Sequence, residues 1–174
     1  MVCYAKPDAI EEVRVKQETA FPAQSHDHGA CVDDAMETAE ALCAERGARL
    51  TPLRREVLEI VWSSHRPIGA YDILQRMDRG SRKAAPPTVY RALDFLIEQG
   101  LVHRIESMNA YLGCNHPGRS HSGQFLICRE CGEVAELDDQ ELRDSLRRKA
   151  ERLGFELQSQ TVELVGFCAN CRGS

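Results

Sequence analysis

Apolar residues recur at three- and four-residue intervals through the N-terminal part of this chain, and in short strand-like runs after that. From Asp33 to Arg46 the positions Met36, Ala39, Leu42 and Cys43 share one helical face, and Gly47 supplies a stop. Thr51 followed by Pro52 is a cap and first-turn pair. It opens a second helix with the stripe Leu53, Val57, Ile60 and Val61, closed by Pro67. Ala70, Ile73, Leu74 and Met77 define a short third helix, and the polar stretch from Asp78 to Lys83 reads as a linker. Pro86 and Pro87 start a fourth, with Val89, Leu93, Leu96 and Ile97 on one face and Gly100 just past its end.

Beyond that glycine the period changes. Leu101 to Glu106 and Ala110 to Leu112 read as strands joined by the turn Ser107-Met108-Asn109. Helices in close succession followed by a hairpin describe a winged helix, whose last helix enters the major groove while the hairpin lies beside it. Strand-like Gln124 to Cys128 and Glu133 to Leu137 then lead into a helix from Asp138 to about Leu153, with Leu142, Leu146, Ala150 and Leu153 inward. A strand from Phe155 to about Phe167 follows. The expected architecture is α+β: an N-terminal winged-helix DNA-binding domain and a small C-terminal α/β domain. Residues 1–34, broken by Pro7, Pro22 and Gly29, are read as a flexible extension. Residues 35–112 form the winged helix, the Gly-, Pro- and Ser-containing stretch 113–123 a hinge, and 124–174 a second domain.

Charge refines this division. The net charge of −5 is unpromising for a nucleic-acid binder, but residues 49–104 carry 10 basic and 6 acidic side chains, against 4 and 10 in residues 1–48 and 8 and 11 in residues 105–174. A phosphate-contacting surface needs to be basic only locally, and acidic flanks limit indiscriminate binding. No apolar run approaches the length of a membrane span, and the N-terminus lacks the apolar core of a signal peptide, so a cytoplasmic protein is expected. In that compartment eight cysteines argue for metal rather than for disulfides.

Cys128-Arg129-Glu130-Cys131 and Cys168-Ala169-Asn170-Cys171 are matched C-x-x-C pairs. Each can present two thiolates from one tight turn, and two such turns complete a closed tetrahedral sulfur shell, the signature of a structural zinc. In a domain of about sixty residues the metal would add stability that a small core cannot supply. Unpaired buried thiols or a redox dithiol are the other readings of these pairs. Four further residues, His103, Cys114, His121 and Glu136, are unremarkable singly but form a borderline-soft donor set that suits zinc better than a hard cation. On the fourth helix Thr88, Tyr90 and Arg91 lie away from the apolar stripe, where an arginine can fork onto guanine O6 and N7 and hydroxyls can hold phosphates.

With these residues in hand, the chain from about Ala39 to Arg172 resembles the ferric uptake regulator family, in its zinc uptake regulator branch. The resemblance rests on Arg49-Leu50-Thr51-Pro52-Leu53-Arg54, on Pro86-Pro87-Thr88-Val89-Tyr90-Arg91-Ala92-Leu93 and on both cysteine pairs. It implies a homodimer, with 124–174 as the dimerisation and metal-binding domain stapled by a four-cysteine zinc, that binds an inverted-repeat operator on double-stranded DNA and represses zinc uptake genes when zinc is plentiful. It implies two zinc ions per protomer, a structural one on Cys128, Cys131, Cys168 and Cys171 and a regulatory one on His103, Cys114, His121 and Glu136. Arg91 and Tyr71 would read bases, with Thr88 and Tyr90 supporting backbone contacts. Neither a membrane nor a small-molecule substrate is implied.

Iron-sensing relatives usually carry a His-x-Asp-His cluster before the first C-x-x-C, where this chain has Ser120-His121-Ser122-Gly123. An iron, manganese or peroxide sensor of the same family is therefore the rival reading, and a non-sensing zinc-ribbon module a further one. An enzyme is not expected: a zinc deaminase needs H-x-E and P-C-x-x-C, and here no histidine has a glutamate two positions on, and Ile127 precedes Cys128. The group His26, Asp27, His28 and Cys31 lies outside the resemblance and is read as part of the tail, Cys43 as a small core residue and Cys3 as incidental.

Overall fold

The computed structural model describes residue 21 and residues 28–78, 85–118 and 123–172. Helix α1 (His28–Glu45) starts earlier than expected and extends into the end of the expected 1–34 extension. The stripe explains this, because Val32 and Ala35 continue Met36, Ala39 and Cys43 onto the same core one turn earlier. Gly29 falls in the first turn, where a helix tolerates it.

Helix α2 (Pro52–Trp62) is capped by Thr51, whose hydroxyl accepts the Arg54 N–H at 3.4 Å, and it buries Val57, Leu58 and Val61. Arg55 pairs with Glu40 of α1 and, at 3.0 Å, with Glu59 one turn along. Helix α3 (Ala70–Asp78) buries Ile73 and Met77 and includes Asp78, which the sequence assigned to the linker; the rest of that linker lies outside the described residues. Helix α4 (Pro86–Glu98) buries Val89, Ala92, Leu93 and Leu96. Ile97, expected on that face, is exposed. At about 100° per residue it falls well to one side of the stripe centred on Val89 and Leu96, and Ala92 takes the buried place.

Strands β1 (Val102–Ile105) and β2 (Ala110–Gly113) pair antiparallel, His103 opposite Leu112. A 3₁₀ turn at Glu106–Met108 joins them, and Asn109 is left-handed at φ 46°. Asparagine tolerates that conformation, and it reverses the chain. Ile68, between α2 and α3, adds a bridge to Tyr111, each N–H donating to the other carbonyl at 2.9 Å. Three-helix packing with a hairpin hydrogen-bonded back to the inter-helix loop is the winged helix.

A second sheet follows, in the order β4-β3-β5. β3 (Gly123–Cys128) pairs antiparallel with β4 (Val134–Glu136) and parallel with β5 (Thr161–Gly166), and the connection between β4 and β5 carries helix α5 (Gln140–Arg152). β5 is shorter than the expected Phe155–Phe167 strand, because only Thr161 to Gly166 finds a partner in β3. Asp139 caps α5, its carboxylate accepting the Leu142 N–H at 2.9 Å. The expected inward face of α5 is only half-buried at Leu142, Leu146 and Ala150, no residue of the helix is fully buried, and Leu153, at its C-terminal boundary, is 85% exposed. One small three-stranded sheet does not fully cover that face.

Two apolar clusters organise the molecule. The larger one joins α1–α4 with Leu101, Val102 and Tyr111. The smaller contains Ile105 and Leu112 from the hairpin and Phe125, Ile127 and Val134 from the second sheet, so the wing packs directly on that sheet. Among the described residues no helix is long and apolar enough to cross a membrane.

Candidate metal centres and nucleic-acid interface

Parallel pairing explains the first centre. β3 and β5 run the same way with Cys128 opposite Gly166, so both strands end on one side of the sheet, and each leads directly into a C-x-x-C turn. The first turn closes through the Gly132 N–H donating to the Cys128 carbonyl at 3.0 Å, with Gly132 at φ 72°. The second closes through the Cys171 and Arg172 N–H groups donating to the Cys168 carbonyl at 3.0 and 2.9 Å.

One sulfur from each of Cys128, Cys131, Cys168 and Cys171 lies within 4.8 Å of all the others, and Cys131 Sγ is 3.9 Å from Cys168 Sγ. A tetrahedral zinc–sulfur distance of about 2.3 Å implies sulfur–sulfur edges of about 3.8 Å. The donor set therefore fits a closed four-sulfur zinc shell and is far too open for a disulfide. The Cys128 thiol is held down to about 6, first by the Cys168 N–H that donates to its sulfur at 3.4 Å and then by the Cys131 backbone. Cys171 is pushed up to about 12, first by its hydrogen bond with Cys168, then by burial and by the sulfurs of Cys131 and Cys128. Thiols this close cannot all ionise without a cation among them.

The second group joins the two halves. His103 stands on β1, on the same strand face as Ile105, and both reach the second sheet: Ile105 enters the small apolar cluster, and the His103 ring meets Phe125 edge-on at 5.2 Å. Cys114 follows β2 directly, anchored by its N–H donating to the Leu101 carbonyl at 3.0 Å. Glu136 ends β4 opposite Phe125. Nitrogen, sulfur and oxygen donors of these three residues lie within 4.8 Å of one another, with His103 Nε2 3.0 Å from Glu136 Oε1. The Glu136 side chain is 1% exposed, and its Oε2 accepts the Asn115 N–H at 3.0 Å.

Burying a carboxylate to that degree is costly without positive charge nearby. Cys114, itself 1% exposed, has its thiol pushed up to about 12, first by burial and then by Glu136. Sulfur, imidazole and carboxylate converging on one buried point match the donor chemistry of zinc. His121, the fourth expected ligand, lies outside the described residues, as do His26 and Cys3; His28 opens α1, and Cys31 sits half-buried in it.

The expected DNA-facing residues divide by exposure. Tyr71, in the first turn of α3, is 70% exposed, and Tyr90, at the start of the second turn of α4, is 51% exposed; Arg91 is also exposed, while Thr88 is half-buried. Val89, Ala92 and Leu93 turn inward between and beside them, so packing holds the polar face of α4 outward. Three features were not legible in advance. The Asn115 contact to Glu136 uses a backbone N–H and leaves no trace in residue type. Trp62 and Gly113 meet without a glycine motif: a Cβ on Gly113 would lie 2.3 Å from the indole. Arg54 stacks on Phe95 of α4 at 3.5 Å from the ring centroid.

A winged helix fused to a small sheet that carries a four-sulfur shell, with further metal-type donors gathered at their junction, defines a winged-helix DNA-binding regulator with metal-ligand chemistry. The ferric uptake regulator family profile matches residues 45–165. The zinc uptake regulation protein of Escherichia coli (strain K12) is 42% identical over 134 residues, covering 76% of this chain and 78% of that protein. A structure of a zinc uptake regulator complexed with zinc and DNA superposes with a TM-score of 0.76 at 40% identity, over 80% of this chain and 93% of the other. The crystal structure of holo XcZur gives 0.76 at 43% identity, over 82% and 99%. This chain belongs to the ferric uptake regulator family.

Proposed function

We propose that this chain is a zinc-responsive transcriptional repressor that, with zinc bound, binds inverted-repeat operators as a homodimer in the cytoplasm and represses zinc uptake genes. The similarity to proteins named for zinc uptake regulation supports the reading, as does the structure of one of them with zinc and DNA. The observation that carries it is the donor group shared between the halves: His103 and Cys114 belong to the wing, Glu136 to the second sheet.

The reading assigns two zinc ions to each protomer, a structural ion to Cys128, Cys131, Cys168 and Cys171 and a regulatory one to His103, Cys114, Glu136 and His121, and two donor groups support it. When bound at the regulatory group, zinc supplies the positive charge that balances a buried thiolate and carboxylate. The protein supplies the geometry. Because Glu136 is fixed by its strand and by the Asn115 N–H, and Cys114 by the Leu101 carbonyl, gathering these donors sets the angle between wing and sheet. That angle sets the spacing of two recognition helices in a dimer, with Arg91 and Tyr71 reading bases and Thr88 and Tyr90 supporting phosphate contacts. The dimer reading is supported by the apolar surface at the β5 edge, where Leu164, Val165 and Phe167 are 48–58% exposed. An open edge with such side chains is normally covered by a partner.

Anisotropy titrations of a labelled operator in buffered zinc, iron(II) and manganese(II) test the proposal. Tight binding should appear at the lowest free concentration for zinc. Equal or better response to iron(II) or manganese(II) would move the protein to the rival sensors of its family, and metal-independent affinity would leave it without a sensing role.

A further inference from the structure

The hairpin touches the second sheet at its far end as well as at its base. The 3₁₀ turn Glu106–Met108 has no side-chain cap from its own sequence. Its first two N–H groups are instead taken by one carboxylate from β5: Glu163 Oε1 accepts from Glu106 N–H at 2.7 Å and Glu163 Oε2 from Ser107 N–H at 3.2 Å. These contacts span 57 and 56 residues of chain. The Glu106 carboxylate, which would repel Glu163, is held toward Arg104, 3.4 Å from its Nε. Burial acts to raise the Glu163 carboxyl, but hydrogen bonds from the Ser107 side chain and from both backbone N–H groups overcome it and hold it below the ordinary carboxylate range. It therefore accepts as an anion, the stronger form of the contact.

The placement matters more than the strength. His103 and Cys114 lie toward the base of the hairpin and the Glu163 contact at its turn, with the Ile105, Leu112 and Phe125 packing between them. A body held at one point can still rotate about it, whereas one held at both ends has a single orientation. We propose that Glu163 is a positioning residue for metal-dependent DNA binding: an inter-domain latch on the wing turn that converts donor closure at His103, Cys114 and Glu136 into one fixed wing orientation. This rests on the regulatory reading above. Without the latch the regulatory group still takes its metal, but occupancy no longer dictates where the wing and recognition helix sit. Metal and DNA are coupled only through that orientation, so the coupling is what Glu163 controls.

The test compares wild type, Glu163→Ala and Glu163→Gln as full-length proteins. Zinc affinity is measured with and without operator, and operator affinity at saturating and at chelated zinc. Linkage makes the two ratios equal, which checks each data set internally. In Glu163→Ala the ratio should fall about tenfold while zinc stoichiometry stays at the wild-type value, and amide exchange at Glu106 and Ser107 should accelerate. Glu163→Gln keeps one acceptor oxygen and should fall between. A wild-type ratio in Glu163→Ala overturns the latch; if Glu163→Ala does not fold, the near-isosteric Gln variant decides by the same ratio. Failure of the underlying reading looks different, since wild type itself would then show no zinc-dependent operator affinity.

Discussion

Zinc binding at the junction of wing and sheet should release the Cys114 proton, and the pH dependence of affinity should show it. The Cys114 thiol is 1% exposed and pushed up to about 12, so it is protonated throughout the neutral range, whereas a zinc-bound cysteine is a thiolate. The sign follows directly: the bound state carries one proton fewer at this residue, so raising pH favours binding until the thiol's own value is reached. At pH 7.5 the thiol is therefore protonated, and forming the zinc–thiolate bond must also meet the cost of removing that proton. Between pH 7.5 and 9.0 the Cys114 contribution should strengthen zinc binding about 30-fold, tenfold for each unit. Competition titrations against a chelator of known pH dependence measure this, with conditions mild enough to leave the four-cysteine zinc in place. Cys114→Ser is the control, because its hydroxyl keeps its proton across the window and every other protonation effect is shared. The two proteins should diverge in slope by about 30-fold over the window. Parallel slopes would refute the reasoning, showing either that Cys114 is not a ligand or that its thiol is not held protonated.

Two other outcomes are expected. Gly113→Ala places a methyl 2.3 Å from Cε2 of Trp62, directly before Cys114, and should lower stability by about 1–3 kcal/mol in thermal or denaturant unfolding. Trp62 is the single tryptophan of the chain, so its emission reports the clash and the zinc response together, and an unchanged spectrum and midpoint would contradict the packing. Arg91→Ala should cost about 1–3 kcal/mol of discrimination between operator and single-base variants, with zinc stoichiometry unchanged; equal losses on every DNA sequence would make Arg91 a phosphate contact instead.

Much of the fold was legible from spacing. The start signals and stripes of α2 and α4 place those helices where the structure has them, since the Thr51 cap with Pro52 and the Pro86-Pro87 pair act within one turn of chain. Elements whose limits depend on distant partners were less legible. The start of α1 depends on whether Val32 and Ala35 find a core, and β5 ends where β3 stops offering hydrogen bonds. The inward face expected for α5 is half-buried at Leu142, Leu146 and Ala150 but ends before Leu153, because how far a helix is covered depends on neighbours distant in the chain.

The sites divide in the same way. Two C-x-x-C pairs carry their signal locally, because each turn presents its own thiols whatever surrounds it; the sequence alone pointed to these four cysteines as one metal-type donor set. It likewise determined the exposed polar face of α4, set by its apolar stripe. The tertiary structure decided what no local pattern encodes. Parallel pairing of β3 and β5 brings the two cysteine turns to one end of a sheet, and packing of Ile105 on Phe125 carries His103 and Cys114 to Glu136. The closure of Glu163 on the wing turn is of the same kind: a carboxylate and two backbone N–H groups, ordinary in sequence, become a specific contact only when the chain between them folds back. Donors far apart along the chain carry no joint signal until packing fixes the distance between them.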